Sequence, residues 1–157
     1  MIAYIGSQVV NGTNHAVLAK QTILNGKDTE NIVVMIFNEK PNDMDAVLVS
    51  IDRVLESGGI MGGPHINVKT ALDDEVMDIW DDAFEGFVGS TVTPYALLGT
   101  QIATGTEYIF AATLVTTALE PEEHAMIVTI NPMTKKVKMG DMLASRHEAS
   151  LGYAFTW

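Results

Sequence analysis

Apolar residues alternate with polar ones, or gather in short runs, along most of this chain, and one stretch alone repeats them at clear helical spacing. Ile2–Val10 and Thr13–Thr22 read as strands joined at Asn11-Gly12, a dipeptide suited to a type I′ turn because both central residues there need positive φ. Asn31–Asn38 is rich in β-branched residues and reads as a buried strand. Tyr95–Ala103, Thr106–Thr117 and Glu123–Ile130 repeat that pattern, and a short strand is expected at Ile66–Lys69. The helical stretch is about Ala71–Phe87. Val76, Ile79, Trp80, Ala83, Phe84 and Phe87 fall three and four apart. Thr70 can cap it, with Asp73 three residues on, and Gly89 can end it.

Val47, Leu48, Ile51, Val54 and Leu55 also fit one face of a helix, with Asn42 or Asp43 as its cap. An internal repeat decides against that helix. Residues Ala3 to Thr13 match Ala96 to Thr106 at a constant offset of 93, with Ala, Gly, Gln, Gly and Thr identical. The same offset lays Asn31–Asn38 over His124–Asn131. In the second unit the following stretch, Lys136-Val137-Lys138-Met139-Gly140-Asp141, alternates after the turn Asn131-Pro132-Met133-Thr134-Lys135, as a strand after a hairpin does. By the repeat, Ala46–Arg53 is a strand as well.

Two domains follow. Residues 64–157 form a complete unit of strand, helix and four-stranded meander. Residues 1–57 form an incomplete one, a meander with no strand or helix before it. Gly58-Gly59 and Gly62-Gly63-Pro64 connect them. A sheet with one apolar face needs a cover, so the first unit calls for the C-terminal tail (Leu143, Leu151, Tyr153, Phe155, Trp157), the other sheet, or a second chain in a homodimer.

Composition narrows the function. Hydrophobic residues are 47% and charged ones 18%, enough apolar material for a folded core. The net charge of −11 disfavours nucleic acid and anionic membrane surfaces. With no cysteine there is no thiolate nucleophile, disulfide or cysteine-held zinc. No apolar run approaches the ~20 residues of a membrane helix. Met1 leads straight into a strand with no leader pattern, so the expected location is the cytoplasm, unless a leader has been removed.

Catalytic signatures are missing. His15, His65, His124 and His147 are scattered without metal-ligand spacing. Gly58–Gly63 lacks the Gly-Lys-Ser/Thr ending of a phosphate loop, and no serine sits in a nucleophile elbow. Asp73, Asp74, Glu75, Asp78, Asp81, Asp82 and Glu85 make an acidic helix face best read as solvated. The expectation is a protein that is not an enzyme and uses no cofactor or metal.

A helix, a strand running into Gln-x-Val-x-Gly, then further antiparallel strands is the order seen in cystatins. Gln8-Val9-Val10-Asn11-Gly12 resembles that family's inhibitory motif. Gln101-Ile102-Ala103-Thr104-Gly105 is similar but carries Ala103 for Val and Glu107 where the first copy has Asn14. More broadly the chain resembles tandem cystatin-like proteins of bacteria. The resemblance implies an α+β fold, an antiparallel sheet wrapped on one long helix, with the strand unit duplicated. It also implies a partner, a papain-like cysteine protease, whose cleft the two hairpins would enter as wedges. Two features depart from the family. Its Pro-Trp hairpin is here Asn131-Pro132-Met133, or Lys40-Pro41-Asn42, and only the second unit has glycines upstream of its motif, Gly62 and Gly63. Hairpin chemistry alone also accounts for Asn11 and Gly12. Two further readings are a structural module whose strands pair or swap between copies, and a small-molecule pocket between sheet and helix.

Overall fold

The computed structural model describes residues 1–24, 29–43, 45–57 and 62–143, and the backbone of 152–156. Gly58, Gly59, His147, Leu151 and Trp157 lie outside the described residues. The chain divides into two compact units, Met1–Gly58 and Gly59–Trp157.

The first unit is an antiparallel meander of four strands in sequence order: β1 (Ala3–Val10), β2 (Gly12–Ile23), β3 (Thr29–Glu39) and β4 (Val47–Glu56). The stretch with helical periodicity is thus a strand, in line with the repeat. Its apparent helical spacing has a local cause. Val49 and Val54 are extra residues at two bulges against β3, and each bulge shifts the inside–outside alternation by one. The turn before it is closed by Asp43 N donating to Lys40 O (3.1 Å), with Pro41 first and Asn42 second at φ 69, a type II turn.

The second unit is a six-stranded antiparallel sheet, again with neighbours in sequence order: β5 (His65–Lys69), β6 (Ser90–Ala103), β7 (Gly105–Thr116), β8 (Glu123–Asn131), β9 (Lys136–Asp141) and β10 (Gly152–Thr156). The tail strand β10 extends this sheet by pairing with β9. Helix α1 (Asp74–Phe84) interrupts the order between β5 and β6.

The expected α+β class is corrected here. Strands hold 62% of the residues and the helix 8%, so the protein is mostly β, and its sheet does not wrap a long helix. Lengths explain why. Eleven residues of helix span roughly 16 Å, whereas the fourteen of β6 span roughly 46 Å. Both expected helix ends moved inward. Asp73, not Thr70, is the N-cap, its Oδ1 accepting from Val76 N (3.0 Å). Gly86 at φ 72 turns the chain out of the helix three residues before Gly89. The backbone hydrogen bond from Val76, then the Lys69 ammonium, hold the Asp73 carboxyl below its usual range.

The helix still buries the predicted stripe. Val76, Trp80 and Ala83 pack with Leu97, Phe110, Met126, Val128 and Ile130. Cross-strand pairing makes that platform: Leu97 faces Phe110, Phe110 faces Val128, and Val128 faces Met139, one row on one face of four strands. The Trp80 ring meets Phe110 edge-on at 5.1 Å and stacks on Phe84 at 4.5 Å.

The repeat extends to strand register. Ala3 pairs with Leu18 and Ala96 with Ala111; both ladders slip one residue at equivalent places, Ile5 and Leu98. His15 faces Phe37, and Tyr108 faces Ile130. Register parts only after the third strand, where Asn38 pairs with Val47 but Asn131 with Lys136, because the first unit's loop is longer.

Tyr95 sits at a second bulge of β6, between Pro94 and Ala96. Burial raises its phenol from 10.0 to about 12. A raised value favours the neutral folded form. Its contribution to stability is therefore complete below pH ~10, where neither state ionises, and falls between pH 10 and 12 as the unfolded chain loses the proton first. Stability measured across that window should decline less steeply in Tyr95→Phe than in the unaltered chain.

Candidate functional site

Each unit carries one hairpin of the predicted motif. Neither is a two-residue type I′ turn. Val9 faces Thr13 and Ile102 faces Thr106; one further pair, Val10–Gly12 and Ala103–Gly105, ends each ladder, so three residues, Val10-Asn11-Gly12 and Ala103-Thr104-Gly105, turn the chain. Only the glycines have positive φ, 101° at Gly12 and 90° at Gly105. This is the three-residue hairpin with a left-handed third residue. The reason is register: beyond the slip at Ile5, paired positions on the two strands sum to an even number, which leaves an odd residue at the tip.

Glycine is required at both tips for space as well as for φ. A Cβ at Gly12 would stand 2.4 Å from Glu39 O, and one at Gly105 2.9 Å from the Met133 side chain. The third strand of each meander, or the turn that directly follows it, crowds the glycine, and the asparagine at or near that strand's end grips the tip. Asn38 Nδ2 donates to Asn11 O (3.4 Å) and to Asn14 Oδ1 (2.8 Å). Asn131 Nδ2 donates to Thr104 O (3.1 Å), and its Oδ1 accepts from Thr134 N (3.0 Å). Asn38 and Asn131 are equivalent in the repeat, as are Asn11 and Thr104. The two asparagines were visible in the aligned sequence; their work was not, since it needs the third strand beside the first hairpin.

Outside the clamp the tips are open. Val9 is 84% exposed and Ile102 68%. Val10, Asn11, Ala103 and Thr104 are exposed too. Such tips are small, uncharged and braced, with the carbonyl groups of Asn11 and Thr104 already engaged. The two glutamines differ in use. Gln101 Nε2 donates to Gly62 O (2.9 Å), holding the segment that enters β5. Gln8 is exposed on β1, whose outer side no described strand covers.

Two polar arrangements escaped the sequence reading. Tyr4 OH lies 3.0 Å from His15 Nδ1, and His15 Nε2 3.3 Å from Glu39 Oε2, tying β1, β2 and β3 together. In the second unit His124 Nδ1 lies 3.2 Å from Asp141 Oδ2, while Asp141 Oδ1 accepts from Leu143 N (2.7 Å). Tyr4, His15 and Glu39 lie on the open sheet surface, and the His124–Asp141 pair bridges β8 to the end of β9. A cleft of about 190 Å³ runs between β5, α1 and the sheet, lined by Asn67, Lys69, Asp73, Ile79 and Tyr108 among others. That is below the roughly 300–1,000 Å³ of ordinary ligand pockets. Among the described residues no three acidic or histidine side chains gather as a metal site would require, and no helix is long and apolar enough to cross a membrane.

No family model, curated protein or solved structure matches this chain. These comparisons do not bear on the resemblance to cystatins.

Proposed function

We propose that this chain is a non-enzymatic protein-binding module that presents its hairpin tips, Gln8–Gly12 and Gln101–Gly105, to a partner protein. The observation that carries this reading is the paired bracing: two copies of one loop, each with a left-handed glycine and an asparagine on the tip carbonyl. A braced loop loses little conformational entropy on binding, and the exposed Val9 and Ile102 offer apolar anchors at low cost to the fold. By the family resemblance, the first partner to try is a papain-like cysteine protease.

Inhibition of such a protease by the whole chain tests this directly. Val9→Asp places a charge on a residue that is almost fully exposed, so the fold should be unchanged while inhibition falls by roughly tenfold or more. Absence of inhibition at micromolar concentration removes the protease; equal inhibition by Val9→Asp removes the tip.

The alternative is a module that assembles by strand pairing between copies. The β4 edge suits that poorly, with two bulges and Asp52, Arg53 and Glu56 along it. The β1 edge is not guarded in this way, and light scattering would detect a dimer built on it.

A further inference from the structure

The repeat preserves two residues of β1 that its own hairpin does not use, Gly6 and Gln8. Their counterparts in β6 have visible tasks. Gly99 lies where β5 crosses: His65 faces Thr100 and Ile66 faces Gly99, and a Cβ on Gly99 would stand 2.2 Å from His65 O. Gln101 holds Gly62 O just upstream of the same strand. In β6, then, the glycine and glutamine shared by the two copies are the pair that receives β5. In the first unit a Cβ on Gly6 would meet nothing within 4 Å, and Gln8 is exposed. The receiving residues are present and the space beside them is open.

The adjoining sheet face agrees. In the second unit the row Leu97–Phe110–Val128–Met139 lies under α1. Its counterpart is Tyr4–Val17–Met35–Ile51, paired in the same succession. Tyr4 is 54% exposed and Ile51 42%, with Val17 and Met35 half-buried. Nor is the edge protected against pairing. From Ala3 to Val10 there is no charged residue and no proline.

We infer that the β1 edge and the Tyr4–Ile51 row of the first unit form a docking surface for a strand–helix segment of a partner polypeptide, which adds antiparallel to β1 as β5 adds to β6. The partner's strand puts an apolar residue opposite Gly6, as Ile66 stands opposite Gly99, and a carbonyl within reach of the Gln8 amide. Its helix lays an apolar stripe on the row. A second copy of this chain is a poor donor. Among the described residues each chain holds two receiving sheets and one strand–helix segment, which already covers its own core, so lending it would uncover Phe110 and Val128. This surface shares Gln8 with the first hairpin but uses neither Val9 nor the turn that follows it, and a failed protease assay leaves it standing.

The probe is a labelled synthetic peptide with this chain's own sequence from Gly62 to Phe87, titrated against the whole protein. Saturable binding of one peptide per chain is expected, with slowed amide exchange along Ala3–Gln8. Gly6→Val should weaken binding by roughly tenfold or more while leaving the melting curve in place, since the side chain enters open space in the free protein. A peptide with Asn67→Pro, which loses a strand donor and its extended pairing, should bind weakly. The inference is overturned by lack of binding, by binding that Gly6→Val does not change, or by protection that appears on β6 and so reports displacement of the resident β5. A chain that dimerises through β1 and resists competition by the peptide would assign the edge to a second copy instead.

Discussion

Trp80→Ala is expected to destabilise the second unit by about 3–5 kcal/mol, the cost of removing a large aromatic side chain from a packed core. Trp80 is 3% exposed and is the centre of the contact between α1 and the sheet. Its loss opens a cavity against Phe110 and Phe84, both in ring contact with it, and those rings lie on different elements, so neither can collapse into the space alone. Besides this packing, shared with Val76 and Ala83, the helix is held by little of its own: three turns, a side-chain cap at Asp73, and no basic residue in its last turn. Thermal unfolding should begin more than about 10 °C lower, and amide exchange should accelerate across α1 and the strands beneath it. Trp80→Phe keeps an aromatic ring in the site and should lose clearly less. A melting curve for Trp80→Ala that overlies the original would mean that α1 does not contribute to the core in solution.

The second large effect is a contrast between two glycines that occupy one position of the repeat. Gly99→Ala should destabilise by at least about 2 kcal/mol, because its Cβ meets a backbone oxygen of β5, which cannot turn aside as a side chain can. Either β5 shifts or it leaves, and if it leaves, Ile66, now 6% exposed, loses its cover. Gly6→Ala should fall within about 0.5 kcal/mol of the original, or gain slightly, since a strand glycine gives up more chain entropy than alanine and nothing stands in the way. Chemical denaturation of the two single variants is enough to measure the difference. Equal costs would show that the glycine serves its own strand in both units and that the crossing of β5 is not what requires it.

These two sites mark how far the sequence carries. The offset of 93 aligns Gly6 with Gly99 and Gln8 with Gln101 from the sequence alone, and it turns an apparent helix at Val47–Leu55 into a strand. The stripe from Val76 to Phe87 named the buried face of α1. Extent was harder to read than pattern. Apolar spacing continued past Phe84, yet the helix stops at a glycine in the left-handed region, and the start is taken by Asp73 because its carboxylate reaches the Val76 amide. The tip geometry departs from the sequence expectation for a related reason. Asn-Gly permits a two-residue turn, but the residue at Ile5 that slips the ladder, and the register beyond it, leave three residues at the tip.

By itself the sequence determined that one supersecondary unit occurs twice, where its strands lie, and which residues the two copies share, because alternation, helical spacing and repetition are local properties of a chain. Only the tertiary structure decided what the shared residues do. Gln101 is spent on Gly62 while Gln8 is exposed, and Asn38 and Asn131 reach back to hairpins formed by other strands. The reason is that a hydrogen bond or a clash depends on which backbone lies a few ångströms away, and strand register sets that between residues far apart in the chain.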